Sequence, residues 1–183
     1  MANPGFCVWL TGLPAAGKST IAGELAAELR ARGWPVELLD GEEVRQSLSP
    51  DLGFDRASRE AHAARLTFVA SLLVRHGVVA IVAAISPYAS SRDRARKEIC
   101  HFVETYVTTP LAVCERRDQR GLYRRAREGL IKDFTGVDDP YEVPESPDIR
   151  VDNVGRTAKE SARFVAAELE RLGWLVPGRP SSS

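Results

Sequence analysis

The sequence predicts an α/β protein, with a parallel sheet covered on both faces by helices in a three-layer α/β/α sandwich. Three observations predict it. Short apolar runs of strand length alternate with longer segments of helical period along the 183 residues. Val78 to Ile85 is apolar throughout, as a strand buried on both faces must be. A third run, Phe6-Cys7-Val8-Trp9-Leu10, leads through a glycine-bounded loop into a helix.

That loop is Gly12-Leu13-Pro14-Ala15-Ala16-Gly17-Lys18-Ser19-Thr20. It fits G-x-x-x-x-G-K-[ST], so the fold is expected to be P-loop NTPase-like. Gly12 and Gly17 let the backbone curl until several N–H groups face one phosphate chain. The helix dipole adds to that field. Lys18 is expected to reach the outer phosphates of ATP, and Ser19 to offer its hydroxyl to Mg2+.

The first helix carries Ile21, Leu25 and Leu29 inward and ends near Gly33. Pro35 to Leu39 reads as a second strand, stopped by the turn dipeptide Asp40-Gly41. Asp40 then lies at the carboxyl end of a strand, where open α/β sheets bind ligands. Glu42 to Leu48 forms a short helix, and Ser49 to Phe54 a loop. A long helix from about Arg56 to His76 buries Leu66, Val69, Ala70 and Leu73. The third strand ends in Ile85-Ser86-Pro87-Tyr88. Ser90 to Glu98 is helical and highly charged. Phe102 to Val107 is the fourth strand, and Pro110 opens a further helix.

Arg116 to Lys132 carries seven basic residues against two acidic ones. Beside a phosphate site, this segment is expected to be a mobile lid, at about 116–134. Phe134 to Pro144 reads as an ordered loop. Ile149 to Asp152 is a short fifth strand, and Thr157 to Leu172 a last helix with Ala162, Val165, Leu169 and Leu172 inward. One domain is expected over residues 1–176, with a flexible Pro/Gly/Ser-rich tail at 177–183.

The 25 basic and 25 acidic side chains cancel, which argues against a globally basic nucleic-acid binder. No apolar run is long enough to span a bilayer, and no signal-peptide core is present, so a cytoplasmic protein without a membrane partner is expected. Cys7, Cys100 and Cys114 have no metal-binding spacing and are read as structural.

A P-loop alone does not separate a kinase from a switch or a motor. There is no N-K-x-D segment for guanine, and no strand ends in the apolar-run-plus-Asp pattern of a conventional Walker B. Asp40 is therefore the acidic candidate, to accept the proton of an acceptor hydroxyl, to hold Mg2+ through water, or both.

Several segments carry a resemblance. The P-loop, Leu39-Asp40-Gly41-Glu42-Glu43-Val44-Arg45, Asp51-Leu52-Gly53-Phe54, Ile85-Ser86-Pro87-Tyr88 and Gly121-Leu122-Tyr123 on to Lys132-Asp133-Phe134-Thr135-Gly136 resemble adenylylsulfate kinase in order and spacing. The resemblance implies transfer of the γ-phosphoryl of ATP to the 3′-hydroxyl of adenosine 5′-phosphosulfate (APS), giving PAPS and ADP in sulfate assimilation. It implies that Phe54 and Phe134 sandwich the adenine, where aromatic stacking gives roughly 1–3 kcal/mol per base. It also implies that Arg45 and Arg59 grip the phosphosulfate, that Lys132, Ile85 and Ser86 lie beside the acceptor, and that Arg117 faces the ATP base. The family's serine at the Ser86 position is described as a phosphoserine intermediate. Direct transfer needs none, so Ser86 is expected to be a substrate contact or helix cap. A homodimer is implied, with ATP sulfurylase as a candidate partner.

The chain departs from the family pattern at four places. His62 stands where an Asn contacts substrate, Ala64 replaces the first of two paired arginines, Glu42-Glu43 replaces Asp-Asn, and Pro14-Ala15 replaces a frequent Ser-Gly. A His titrating near its ordinary pKa of about 6.5 would make acceptor binding pH-sensitive. Two other readings remain open: a P-loop kinase of another small hydroxylated metabolite, a sugar or nucleoside, and a non-catalytic nucleotide-binding regulatory module.

Overall fold

The computed structural model describes residues 4–175; the tail at 177–183 lies outside them. The elements follow in the order β1 (Cys7–Thr11), α1 (Lys18–Ala31), β2 (Val36–Asp40), α2 (Gly41–Leu48), α3 (Arg56–Arg75), β3 (Val79–Ala83), α4 (Ala89–Glu98), β4 (Phe102–Val107), α5 (Leu111–Arg117), α6 (Leu122–Arg127), β5 (Ile149–Val151) and α7 (Ala158–Arg171). The strands form one sheet in the order β2-β3-β1-β4-β5, and every pairing is parallel. Chain order reverses beside β1, so the crevice at the carboxyl ends opens at the point where the P-loop leaves that strand.

Alternation along β1 assigns the two faces of the sheet. Val8 and Leu10 pack with Ile21, Leu25 and Leu29 of α1 and with Val165 and Leu169 of α7. Cys7 and Trp9 face the other way, against Leu66, Ala70 and Val74 of α3 and Ala95 of α4. All five β1 residues and all five β3 residues are buried, which is why both read as unbroken apolar runs. Cys7 and Cys114 lie buried, and Cys100 is exposed.

Two expectations are corrected. Leu172 lies just past α7 and is exposed; Leu175, two residues beyond the Gly173 turn, fills the inward position. Val69 and Leu73 are only half-buried, at the rim of the α3 stripe. The basic segment spans the end of α5 and all of α6. It breaks after Arg117, restarts at Leu122 with Gly121 in the left-handed region, and runs as coil beyond Arg127.

Candidate active site

The P-loop leaves β1 and feeds α1 through Gly17, whose φ of 99° is left-handed. A Cβ there would also lie 2.4 Å from the Asn153 side-chain nitrogen. No side chain caps α1, whereas Asp40, Asp55 and Thr157 cap α2, α3 and α7. The first-turn N–H groups of α1 therefore point into the crevice with the positive end of the dipole, a donor set suited to a phosphate chain. Lys18 is buried, and its Nζ donates to the carbonyls of Gly12 (3.0 Å) and Leu13 (2.7 Å). Burial lowers its amine to about 8, against the opposing pull of Cys114, Asp40 and Glu42. Ser19 is exposed at the same helix start.

The loop is braced from behind by residues the sequence reading did not single out. The Ala16 carbonyl accepts from Thr109 Oγ1 (2.8 Å) and Asn153 Nδ2 (2.9 Å). Ser161 Oγ donates to Asn153 Oδ1 (2.8 Å), and Arg117 Nη2 donates to the Asn153 carbonyl (2.8 Å). Arg117 Nη1 also lies 4.0 Å from where a Cβ on Gly17 would stand. Asn153 carries one readable signal, a polar residue just past the carboxyl end of a strand.

Asp40 ends β2 and is also the N-cap of α2, its carboxylate accepting from the backbone of Glu42 (3.0 Å) and Glu43 (3.4 Å). The Asp-Gly pair is therefore a strand-to-helix junction rather than a free turn. Glycine is required there for close approach, since a Cβ on Gly41 would meet the Ala83 carbonyl oxygen at 3.0 Å and Ala84 Cβ at 3.1 Å.

Beside this junction lies a cavity of about 110 Å³ walled by Arg45, Phe54, Arg59, His62, Ile85 and Ser86, among others. Six sequence-predicted substrate residues meet there. Phe54 is 59 % exposed, with the Arg45 guanidinium 4.5 Å and that of Arg59 5.8 Å from its ring centroid. Both arginines bond backbone carbonyls: Arg45 those of Leu52 (3.3 Å) and Gly53, Arg59 those of Phe54 (2.7 Å) and Asp133 (2.6 Å). The two guanidiniums converge on one aromatic face, an arrangement suited to an aromatic-bearing anion.

Two predicted residues stand apart from this wall. Lys132 is exposed on the lid coil and does not line the cavity. Phe134 is buried, edge-on to Tyr123 with ring centroids 5.0 Å apart. Its loop setting suggested a ring open to ligand, but the 133–139 turn folds inward and makes it part of the core.

His62 is corrected as well. It is buried, and its Nδ1 lies 2.9 Å from Ser49 Oγ. Burial, with Arg45 nearby, lowers its pKa to about 4, so the ring stays neutral where titration near 6.5 was expected. The ring ties α3 to the carboxyl end of α2, where Ser49 is the C-cap.

Ser86 has φ 44°, a conformation costing a non-glycine residue about 1–3 kcal/mol. Its hydroxyl does not cap α4, whose N-cap is Tyr88; it accepts from Trp9 Nε1 at 3.0 Å. Over the crevice, Arg120 of the lid is ion-paired with Glu42 of α2. Among the described residues, no group of three or more His, Cys, Asp or Glu could hold a metal by itself.

A donor cradle and an acceptor cavity opening on one end of a parallel sheet are what a P-loop phosphotransferase requires, and the fold and site define that class. The family model for adenylylsulphate kinase matches residues 4–152. The chain belongs to the adenylylsulfate kinase family, whose members are ATP-dependent kinases. It is 49 % identical over 175 residues to an adenylyl-sulfate kinase of Synechococcus sp. (strain JA-3-3Ab), covering 96 % of this chain and 99 % of that one. It is 51 % identical to a probable bifunctional SAT/APS kinase 2 of Sorangium cellulosum, matching 96 % of this chain and 30 % of that longer protein. Among solved structures, the Mycobacterium tuberculosis APS kinase CysC in complex with AMPPNP and APS superposes with a TM-score of 0.87 at 43 % identity, over 91 % of this chain and 98 % of that one. Among the described residues, no helix is long and apolar enough to cross a membrane.

Proposed function

We propose that this chain transfers the γ-phosphoryl of ATP to the 3′-hydroxyl of APS, giving PAPS and ADP. The observation that carries the reading is the cavity beside Asp40, where Arg45 and Arg59 flank the exposed ring of Phe54. APS presents the matching chemistry, an aromatic base and a phosphosulfate anion.

On this reading the P-loop N–H groups and Lys18 hold the ATP phosphates, and Arg117 lies toward the base. Ser19, and Asp40 through water, would hold Mg2+, which would neutralise charge on the transferring group. Asp40 orients the acceptor hydroxyl and takes its proton. Its Oδ1 already accepts two backbone N–H bonds, so the carboxylate is oriented before substrate arrives, with Oδ2 left for the acceptor. Phe54 stacks on the adenine, while Phe134 stays in the core behind the 133–139 turn. Ile85 and Ser86 form the floor, and Lys132 approaches when the lid moves. His62 holds the wall rather than the ligand. No covalent step at Ser86 is needed, because positioning and charge neutralisation supply most of such catalysis. A homodimer, a cytoplasmic location and ATP sulfurylase as partner belong to the same proposal.

The test is ADP release from ATP and Mg2+, with and without APS, with the nucleotide product identified. APS-dependent release with PAPS formed, and lost in Lys18→Ala, supports the reading. ATP binding without APS-stimulated turnover overturns it and directs the search to other acceptors.

A further inference from the structure

We infer that Arg92 is a positioning residue of the acceptor side, fixing Ser86 and the 139–142 loop in one arrangement. The inference rests on the phosphotransfer reading above and deepens it.

Arg92 is 3 % exposed on a helix whose other basic residues, Arg94, Arg96 and Lys97, are exposed. A guanidinium at that depth is tolerated only when its donors are satisfied. Here they are, in three directions. Nε donates to Glu104 Oε1 of β4 at 2.8 Å, Nη1 to the Ser86 carbonyl at 2.7 Å, and Nη2 to the Glu142 carbonyl at 2.6 Å. One planar group thus joins α4, the central sheet, the turn after β3 and the loop after the lid. A buried ion pair adds little net stability compared with an apolar replacement, so its effect is one of geometry.

The geometry concerns a strained residue of the cavity wall. Ser86 is the residue with φ 44°, its carbonyl is held by Arg92, and its hydroxyl accepts from Trp9. The loop is bonded onto the same turn at two further points, Glu142 N to the Pro87 carbonyl (2.8 Å) and Ala89 N to Glu142 Oε2 (2.7 Å). Ser86, Pro87 and Ser91 line the acceptor cavity, whereas Arg92 does not. Arg92 therefore acts through Ser86. Lysine cannot replace it, because a single ammonium cannot reproduce the fork.

The experiment compares Arg92→Lys and Glu104→Gln with wild type. The expected result is a rise in KM for APS of about tenfold or more in Arg92→Lys, with ATP affinity within about twofold and the thermal midpoint near wild type. The indole N–H resonance of Trp9, identified by its loss in Trp9→Phe, should shift in the same variant. A KM for APS within about twofold of wild type, or equal loss for both substrates, overturns the inference. If Arg92→Lys does not fold, Glu104→Gln is expected to show the same APS-selective loss, and its absence overturns the inference. If wild type itself lacks APS turnover, the functional reading fails while the Trp9 resonance still decides. A shift in Arg92→Lys upholds the Arg92–Ser86 link, and an unchanged resonance ends it.

Discussion

The side-chain nitrogen of Asn153 lies 2.9 Å from the carbonyl oxygen of Ala16, so the segment after the last strand braces the loop after the first. The same Asn153 accepts from Ser161 and, through its own carbonyl, from Arg117. Replacing it with alanine removes a buried polar bridge and strands the Ser161 hydroxyl. Asn153→Ala is expected to lose about 1–3 kcal/mol of stability and to bind ATP about tenfold more weakly. Thermal melts and calorimetric titration check both. Unchanged ATP affinity would show that the P-loop keeps its shape without the brace.

Gly17 and Asn153 should also be coupled. Gly17→Ala meets two obstacles, a left-handed φ of 99° and a contact at 2.4 Å with Asn153 Nδ2. Removing the Asn153 side chain relieves only the second. The double variant should therefore recover part of the ATP binding lost in Gly17→Ala, leaving about 1–3 kcal/mol of backbone strain. Strict additivity in the cycle would sink this account.

The two phenylalanines should separate stability from binding. Phe134 is buried against Tyr123, so Phe134→Ala should cost about 3–5 kcal/mol of folding stability. Phe54 is 59 % exposed, and Phe54→Ala should change stability by no more than about 0.5 kcal/mol. Its effect should fall on the KM for APS, by roughly tenfold for the loss of one stacking face. Denaturant melts beside steady-state kinetics distinguish the pair. A Phe54→Ala variant with normal KM would remove that ring from the site.

His62 should give a pH signature in stability and none in acceptor binding. Its folded pKa of about 4 lies below the ordinary 6.5, so between those values the unfolded chain binds more protons. Stability should therefore fall as pH drops from about 6.5 toward 4, by on the order of 1–2 kcal/mol after screening. His62→Asn should lack that fall. Between pH 6.5 and 8 the ring is neutral throughout, and the KM for APS should show no step from it. A step near pH 6.5 that disappears in His62→Asn would contradict the buried, neutral ring.

Lys18 should report phosphate binding by taking up a proton. Its folded value of about 8 lies below the ordinary 10.5, so stability rises with pH between those limits, and Lys18→Met should lose that rise. A phosphate chain beside the amine favours its charged form. ATP binding near pH 8.5 should thus draw protons from solution, read by calorimetry in buffers of different ionisation enthalpy. No uptake by wild type, or equal uptake by Lys18→Met, would place the proton elsewhere.

What was legible in the sequence depended on how local its cause was. The strands after Phe6 and Val78 announce themselves because parallel strands buried on both faces must be apolar along a continuous stretch. The P-loop and Asp40 follow from their place at strand ends. Arg45, Phe54, Arg59, Ile85 and Ser86 were found through the resemblance, and the fold brings them to one cavity. Arg92 was hidden because a charged helix reads as solvated, and its burial is made tolerable by Glu104, 12 positions away on a strand, and by the carbonyls of Ser86 and Glu142. Phe134 misled for the opposite reason. A turn-rich neighbourhood suggests exposure, yet the Asp138 carboxylate accepting from the Phe134 backbone at 2.7 Å folds that turn inward. The neutrality of His62 was hidden because it depends on burial beside Arg45, with Ser49 at its Nδ1. These outcomes depend on partners distant in sequence, which periodicity does not report.

The strand order β2-β3-β1-β4-β5 has an evolutionary consequence. The braces of the donor loop, Thr109 and Asn153, follow β4 and β5. The acceptor wall hangs from the ends of β2 and β3, through Asp40, Gly41 and Ser86. β1 is the seam between the two halves, which Arg92 and Arg59 also tie together through Glu104, Glu142 and Asp133. Substitutions on the β2–β3 side can therefore retailor which hydroxyl compound is accepted while the machinery for holding ATP is inherited intact. Drift in this lineage should accumulate on one side of the sheet, and grafting residues 40–91 from a relative with another acceptor is the exchange the architecture is built to tolerate.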